Sequence, residues 1–459
     1  MWCGTLIFLL SWTQVNSETA DESLEAKLDA LIEPYLAVND FAGAVLVARG
    51  KEILVKKAYG FANLEWSIPN TPSTKFHIAS MSKPFTATAV MVLVDRGKLE
   101  LQKPIESYLP GYPRGKEITV HHLLTHSSGI PDYNDFPDYH RFKLTDHTLA
   151  ETVAWFKDKP LQAEPGAKHR YSNANFVLLA HLVEVVTGKP FDLFLKEAIF
   201  DVAGMKDSGN FTYEQVIPNR SDGYEPGPGN SLVRAEWYSK SFKVGSGALY
   251  STVEDLYHFV RALKDGKILK QSSLDAMWMR QISHYGYGWG IGEGKGVLVV
   301  GHDGSSPGYF GEMSFDLKSE TFVVFLANIR TGISRQLGNA LLYTAFGRDY
   351  PLPPPPVYVS DNPDQFEALT GEYWFPFEQG GNPFTIYRQG DRLFFHWGEV
   401  VEGKLHGSIL HAIGPNSFVN RSRYDRLTFV LDHEGKAEAV LYSENQNETR
   451  CPRRERQDR

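Results

Sequence analysis

One lysine in the chain has a serine three positions before it, in Ser80-Met81-Ser82-Lys83. On a helix that spacing puts both side chains on one face. A serine hydroxyl is a weak nucleophile until a base takes its proton. A lysine can be that base once burial and neighbouring cations lower its pKa. The flanks favour burial, since Ala87, Ala89, Val90, Val92, Leu93 and Val94 follow before Gly97 stops the run. Ser80 at the helix start also lies beside unpaired backbone N–H groups, which favour developing negative charge. Pro84 suits a first turn whose N–H groups lack partners anyway. On spacing alone, a solvated surface pair is the competing reading.

A nucleophile and base need partners. Tyr171-Ser172-Asn173 supplies a hydroxyl to relay a proton and an amide to hold a substrate amide. Ordinary loop chemistry is the alternative there. In Gly301-His302-Asp303-Gly304-Ser305-Ser306-Pro307-Gly308, glycine lets the backbone approach a ligand closely. The Ser305 N–H can then join that of Ser80 as a two-donor oxyanion hole; the alternative is a simple glycine-rich turn. Gly304-Ser305-Ser306-Pro307-Gly308 also fits Gly-x-Ser-x-Gly, but a nucleophile elbow needs a helix directly after its serine and here a strand follows. His122 and His126 have metal-ligand spacing without the glutamate of the zinc-protease pattern, so they read as polar positions on a capped helix. Tyr133, Phe136 and Tyr139 either line a cleft or pack on neighbouring helices.

The elements that must position these residues follow from periodicity. Residues 21–35 read as an amphipathic helix through Leu24, Leu28, Leu31 and Ile32. Gly43 to Ala48 and Ile53 to Gly60 read as a hairpin. Thr119 to Gly129 predicts a short capped helix, and about Asn175 to Val186 a buried one stopped by Gly188. Another capped helix starts at Thr252. Strands are expected over 297–302, 311–317 and 321–328, and a last helix over about 332–346. This order predicts an antiparallel sheet at which the two ends of the segment meet, with a large helical insertion packed on it. Pro351 to Pro356 reads as a semi-rigid linker. Short alternating segments beyond it predict a small all-β barrel or sandwich.

At 459 residues the chain exceeds one ordinary domain of roughly 100–200 residues. Its 42% hydrophobic and 13% aromatic content suits packed cores, and a net charge of −8 without a basic stripe argues against nucleic acid as partner. Residues 1–17 carry the apolar run Leu6 to Trp12, shorter than the about 20 residues a membrane span needs. They read as a signal peptide, which predicts a secreted or periplasmic protein with no transmembrane segment in the mature chain. Of the two cysteines, Cys3 would leave with that signal and Cys451 sits in the basic run Arg450 to Arg456, taken as a frayed terminus. A disulfide framework is thereby excluded. Asn210, Asn219, Asn420 and Asn447 stand in glycosylation acceptor patterns.

Ser80-x-x-Lys83, Tyr171-x-Asn173 and His302-x-Gly304, in that order, resemble the serine β-lactamase and penicillin-binding protein superfamily, in its class C-like branch. Leu123 to Gly129 and Gly247 to Thr252 support the likeness, which covers about Glu25 to Phe346. The resemblance implies a mixed α/β fold: a transpeptidase-like antiparallel sheet flanked by helices over residues 18–350. Residues 351–365 would be the linker, 366–452 a lipocalin-like barrel and 453–459 a basic tail. It implies that Ser80 attacks the substrate carbonyl, Lys83 and Tyr171 move the proton, Asn173 binds the substrate amide, and Ser80 with Ser305 holds the oxyanion. It implies no cofactor and no metal. His302 stands where penicillin-recognising members have the lysine of Lys-Thr-Gly. A mostly neutral imidazole beside Asp303 weakens the case for a substrate carboxylate at that position. The expected substrate is therefore a small molecule or short peptide, of possible cell-wall origin, cut by a D-aminopeptidase-like or carboxypeptidase-like enzyme. An esterase comes second and a β-lactamase third, and an inactive binding protein is the rival class. Oligomeric state is left open.

Overall fold

A computed structural model describes residues 23–212, 215–294, 297–376, 381–398, 407–444 and 447–454. Residues 1–17, read from the sequence as a signal peptide, and the last five residues lie outside these. The central sheet has six antiparallel strands: β1 (Gly43–Arg49), β2 (Glu52–Tyr59), β3 (Gly290–Gly294), β4 (Val297–Ser306), β5 (Tyr309–Asp316) and β6 (Thr321–Ala327). Their spatial order is β3-β4-β5-β6-β1-β2. β1 therefore pairs with β6, Val45 opposite Phe325, and the two ends of the segment meet in mid-sheet.

Both faces of this sheet are covered, which is why β1 is a continuous apolar run rather than an alternating one. Side chains still alternate with period two. Val45 and Val47 join a core with Leu28 and Ile32 of α1 (Leu24–Leu36) and Leu337 and Leu341 of α6 (Ile333–Ala345). Ala44, Leu46 and Ala48 face the larger core of the helical insertion. That insertion contains α2 (Lys83–Asp95), α3 (Val120–Leu124), α4 (Asn173–Thr187) and α5 (Val253–Lys264). Every residue of α2 from Lys83 to Leu93 is buried. A helix apolar all round must be enclosed on all sides, and α4, α5 and the sheet enclose it.

Three local expectations change. α3 stops at Leu124, because Thr125 turns its hydroxyl back to the His121 carbonyl and His126 adopts φ +54°. His122 and His126 therefore do not share a helical face. The Gly301–Ser306 stretch is not a turn but part of β4, and the hairpin closes at Pro307-Gly308. Tyr133 is wholly buried on Phe242 and Trp155, with Phe136 and Tyr139 packed on the same two rings, so this aromatic trio packs on the insertion.

Beyond the proline-rich segment, eight strands run as a meander: β7 (Gly371–Phe375), β8 (Asn382–Gln389), β9 (Arg392–Trp397), β10 (Ser408–Gly414), β11 (Ser417–Asn420), β12 (Asp425–Leu431), β13 (Ala437–Glu444) and β14 (Asn447–Pro452). First and last strands meet where Tyr373 bridges Arg453 and the Arg454 N–H reaches the Glu372 carbonyl, giving a near-barrel. Its interior is filled by rings such as Tyr373, Phe384, Phe395 and Tyr442. The run 450–454 is ordered strand and strand end rather than a frayed tail. Alternation points Arg450 outward to Glu438 and buries Cys451 completely. Asn420 is likewise fully buried, which removes it as a glycan acceptor in the folded protein.

The two units are joined by more than a linker. Arg421, between β11 and β12, is fully buried and ion-pairs with the fully buried Asp40 at 2.7 Å. Its remaining N–H groups donate to the carbonyls of Gly229, Ser231, Val38 and Asn39. Tyr424 donates to the other Asp40 oxygen at 3.1 Å. Nearby, a Cβ on Gly332 would stand 2.0 Å from the Arg423 carbonyl carbon, so glycine is what lets the barrel turn touch the start of α6. Breaking such a buried pair costs about 3–5 kcal/mol, because a lone charge is left without water. Arg421→Ala is expected to lower the urea-unfolding midpoint accordingly. Arg421→Met combined with Asp40→Leu should recover part of the loss, as a double-variant unfolding cycle would show.

Candidate active site

Ser80 does not sit in the first turn of an α-helix but in a 3-10 turn, Ala79–Ser82, that feeds α2. Ala79 has φ +46°, a left-handed conformation that an L-residue adopts at a cost. The turn is fixed from both sides. The Ile78 N–H donates to the Leu249 carbonyl, and the Ser82 hydroxyl donates to the Ala79 carbonyl at 2.7 Å. Lys83 then opens α2, wholly buried, with its amine back under Ser80.

That amine has three oxygen neighbours: Ser80 Oγ at 3.0 Å, Asn173 Oδ1 at 2.9 Å and the Ser246 carbonyl at 2.7 Å. Burial is the main cause that lowers the Lys83 pKa, to about 7; the Lys243 charge adds to this, while Asp132 and Asp303 oppose it. The neutral amine has two protons and one lone pair. The Ser246 carbonyl and the Asn173 amide oxygen can only accept, so they take the protons. The lone pair is left for the Ser80 O–H. The Tyr171 hydroxyl donates to the same Ser80 oxygen at 3.0 Å. Burial raises the Tyr171 pKa, moderated because the residue is 36% exposed, and keeps it a proton donor.

Asn173 is the first residue of α4 rather than part of the preceding loop. Its amide is oriented by opposite demands: Oδ1 accepts from Lys83, and Nδ2 donates to Asp132 at 2.9 Å. One Nδ2 proton remains for a substrate. His126 holds this segment from behind. Its Nδ1 accepts from the Ser172 N–H and from Asn175 Nδ2, each at 3.2 Å, and its ring lies 4.3 Å from that of Tyr171.

The opposite wall is the end of β4. β3 pairs with residues 297–301 only, so 302–306 have no strand neighbour on that edge among the described residues. A Cβ on Gly304 would stand 2.1 Å from the Ile78 carbonyl oxygen. Glycine is therefore what lets this edge lie against the Ser80 turn. Ser305 is exposed there, between buried Gly304 and Ser306. His302 is buried with both nitrogens used: Nδ1 reaches the Asp303 carbonyl at 2.6 Å and Nε2 the Tyr285 hydroxyl at 3.0 Å. A carbonyl cannot donate, so the ring proton is on Nδ1. Burial depresses the His302 pKa, outweighing the pull of Asp303, and the ring is neutral near pH 7. A cavity of about 700 Å³ opens beside it, lined by Tyr171, Tyr285, Asp303, Glu312 and Arg335 among others. Arg335 pairs with Asp303 at 2.6 Å.

The structure thus brings together Ser80, Lys83, Tyr171 and Asn173 by hydrogen bonds, and sets His302, Gly304 and Ser305 on the facing strand edge. Sequence reasoning missed Asp132, the Ser246 carbonyl, Tyr285 and the buttress His126. Ser246 stands between glycines in Gly245-Ser246-Gly247, whereas Asp132 and Tyr285 carry no local pattern. Among the described residues no group of His, Cys, Asp and Glu is arranged to hold a metal ion.

Comparison with known proteins places this geometry. A family model described as Beta-lactamase matches residues 28–345. A putative penicillin-binding protein, PbpX, of Bacillus subtilis is 30% identical, covering 73% of this chain and 84% of its own. Esterase EstB of Burkholderia gladioli is 31% identical over 60% of this chain and 80% of its own. The solved D-amino acid amidase from Ochrobactrum anthropi SV3, complexed with D-phenylalanine, superposes with a TM-score of 0.64 at 25% identity. It covers 71% of this chain and 98% of the amidase.

Only neutral Lys83 can accept the serine proton. The profile of kcat/KM against pH is therefore expected to rise through about 7 and level off above it. Lys83→Arg, which holds its proton throughout, should lower kcat/KM by about 10²–10⁴-fold at every pH tested.

Proposed function

The chain belongs to the Beta-lactamase family and is a serine hydrolase, and from that premise we propose that it cleaves amides of D-amino acids or short D-residue peptides through an acyl-enzyme on Ser80. The observation that carries this reading is the aim of the Lys83 lone pair at Ser80, with its two protons engaged elsewhere. In acylation the Ser80 oxygen bonds the substrate carbonyl carbon while its proton passes to Lys83. Ser80 and Ser305 N–H groups hold the oxyanion. Lys83 and Tyr171 then return a proton to the leaving amine as the C–N bond breaks. Water attacks the ester with the same pair acting in reverse, which restores Ser80. Asn173 offers its free Nδ2 proton to the substrate amide.

The ranking of substrates rests on His302. It is neutral and both its nitrogens are engaged, so it offers no charge to a carboxylate where penicillin-recognising members present a lysine. Amide substrates come first, in keeping with the amidase likeness. Short esters are the second reading, favoured by the EstB likeness, and β-lactams the third. Export to a secreted or periplasmic location is proposed on residues 1–17. The rival reading, an inactive binding protein, does not account for a buried lysine held near neutrality under a serine.

A fluorophosphonate probe followed by peptide mapping should label Ser80 and lose the label in Ser80→Ala. Wild type should turn over D-amino-acid amides faster than L-amides, short esters or nitrocefin. Efficient nitrocefin hydrolysis without amide turnover would overturn the ranking, and no label from any acylating probe would overturn the enzyme reading.

A further inference from the structure

Three residues before Ser80 stands a histidine that the mechanism does not use, His77. It belongs to a short strand, Phe76–His77, that pairs with Leu249–Ser251, and it is only 2% exposed. Its Nε2 lies 2.8 Å from the Gly247 carbonyl oxygen, and its Nδ1 lies 2.8 Å from Ser306 Oγ. A carbonyl only accepts, so the ring proton is on Nε2 and Nδ1 accepts from the Ser306 hydroxyl. Burial, with the Lys240 and Lys243 charges nearby, holds its pKa well below the ordinary histidine value, and the ring is neutral. The rings of Phe211 and Tyr309 stand edge-on to it at 5.5 and 5.7 Å, which limits its rotation.

Each partner of His77 is the neighbour of a working group. Gly247 follows Ser246, whose carbonyl takes a proton of Lys83 at 2.7 Å. Ser306 follows Ser305, whose N–H is the second oxyanion donor of the proposed reaction. His77 itself precedes Ile78, whose N–H donates to the Leu249 carbonyl and whose own carbonyl lies against Gly304. One ring therefore spans the two walls of the cleft behind the Ser80 turn: the loop 245–247 on one side and the end of β4 on the other. That end needs a support. β3 pairs with residues 297–301 only, so among the described strands β5 alone holds residues 302–306. An apolar side chain would fill this buried position without desolvating two polar edges. What imidazole adds is a donor and an acceptor fixed on one inflexible ring.

We propose that His77 is a positioning residue for the hydrolysis: by tying Ser306 of β4 to Gly247, it sets the separation between the Ser305 oxyanion donor and the Ser246 carbonyl that directs Lys83. The inference rests on the Ser80 acyl-enzyme reading. His77 touches no reacting atom and acts only through the two backbones it joins, so its loss is felt in the transition state rather than in substrate binding.

The test follows turnover of D-alanine p-nitroanilide and inhibition by phenylboronic acid, with active sites counted by fluorophosphonate titration. In the boronate the Ser80 oxygen bonds boron, the serine proton passes to Lys83, and a boron-bound oxygen takes the oxyanion position. His77→Phe keeps a planar ring and loses both hydrogen bonds. It is expected to lower kcat by about 10–10²-fold, the scale of a displaced oxyanion donor, with KM within about threefold of wild type. The boronate Ki should rise by about the factor by which kcat falls. Ser306→Ala, which frees β4 alone, should move kcat and Ki in the same directions by about tenfold. Asparagine places an oxygen near the position of Nδ1, and glutamine a nitrogen near that of Nε2. His77→Asn should therefore hold the boronate Ki closer to wild type than His77→Gln does. A lowered melting temperature with kcat and Ki unchanged in His77→Phe would overturn the proposal and leave His77 as scaffold. Should His77→Phe fail to fold, an unchanged Ki in Ser306→Ala would overturn it equally. Were wild type to turn over no anilide, the substrate reading would fall while boronate binding still decided the clamp: equal affinity in wild type and Ser306→Ala rejects it.

Discussion

The whole site depends on keeping one amine uncharged in the middle of a folded protein. Desolvation supplies the drive, but desolvation alone would leave the lone pair of Lys83 without direction. Two acceptors that cannot donate, the Ser246 carbonyl and Asn173 Oδ1, occupy its protons. Much of the surrounding architecture serves that arrangement. α2 is enclosed on all sides, α4 begins at the residue whose amide orients the amine, and Asp132 and His126 keep that beginning in place. Close approach completes it. Cβ atoms on Gly304 and Gly288 would run into the backbone of Ile78 and Lys83, at 2.1 and 3.0 Å.

Much of this was legible in the chain, for identifiable reasons. A serine one helical turn before a lysine, followed by unbroken apolar residues, encodes both spacing and burial. Helix caps such as Thr119 and Thr252 and the stop at Gly188 are local chemistry, and each sits where the sequence puts it. What escaped is non-local. The 3-10 geometry at Ser80 is imposed by Leu249, more than 160 residues away. The β4 strand continues through glycines that resemble a turn, because its hydrogen-bonding partner is β5 and its neighbour is the Ser80 turn. Asp132 and Tyr285 acquire their roles only when distant loops converge. Cys451 was hidden by the charges around it, although the same alternation that exposes Arg450 and buries Cys451 was present in the letters.

The seam between the two units has the opposite character from the site. Around Ser80, groups are left with a hydrogen-bonding position to spare. Around Arg421, the contacts extend along every face of the guanidinium, and Asp40 has both oxygens engaged. The turn that carries Arg421 also rests on Gly332, at the head of α6, whose Arg335 reaches Asp303 in the wall of the cleft. The barrel is thus in mechanical contact with a helix that borders the chemistry.

The acceptors of Arg421 come from two separate stretches, 38–40 and 229–231, neither of which is recognisable as an interface when read alone. Exchange of the second unit between relatives by recombination would have to carry matching changes at both stretches and at Gly332. A foreign barrel would otherwise strand a carboxylate in a dry junction. Charge burial at the seam therefore acts as an inheritance constraint: it binds the evolutionary histories of the two halves together, and admits new partners only by coordinated substitution.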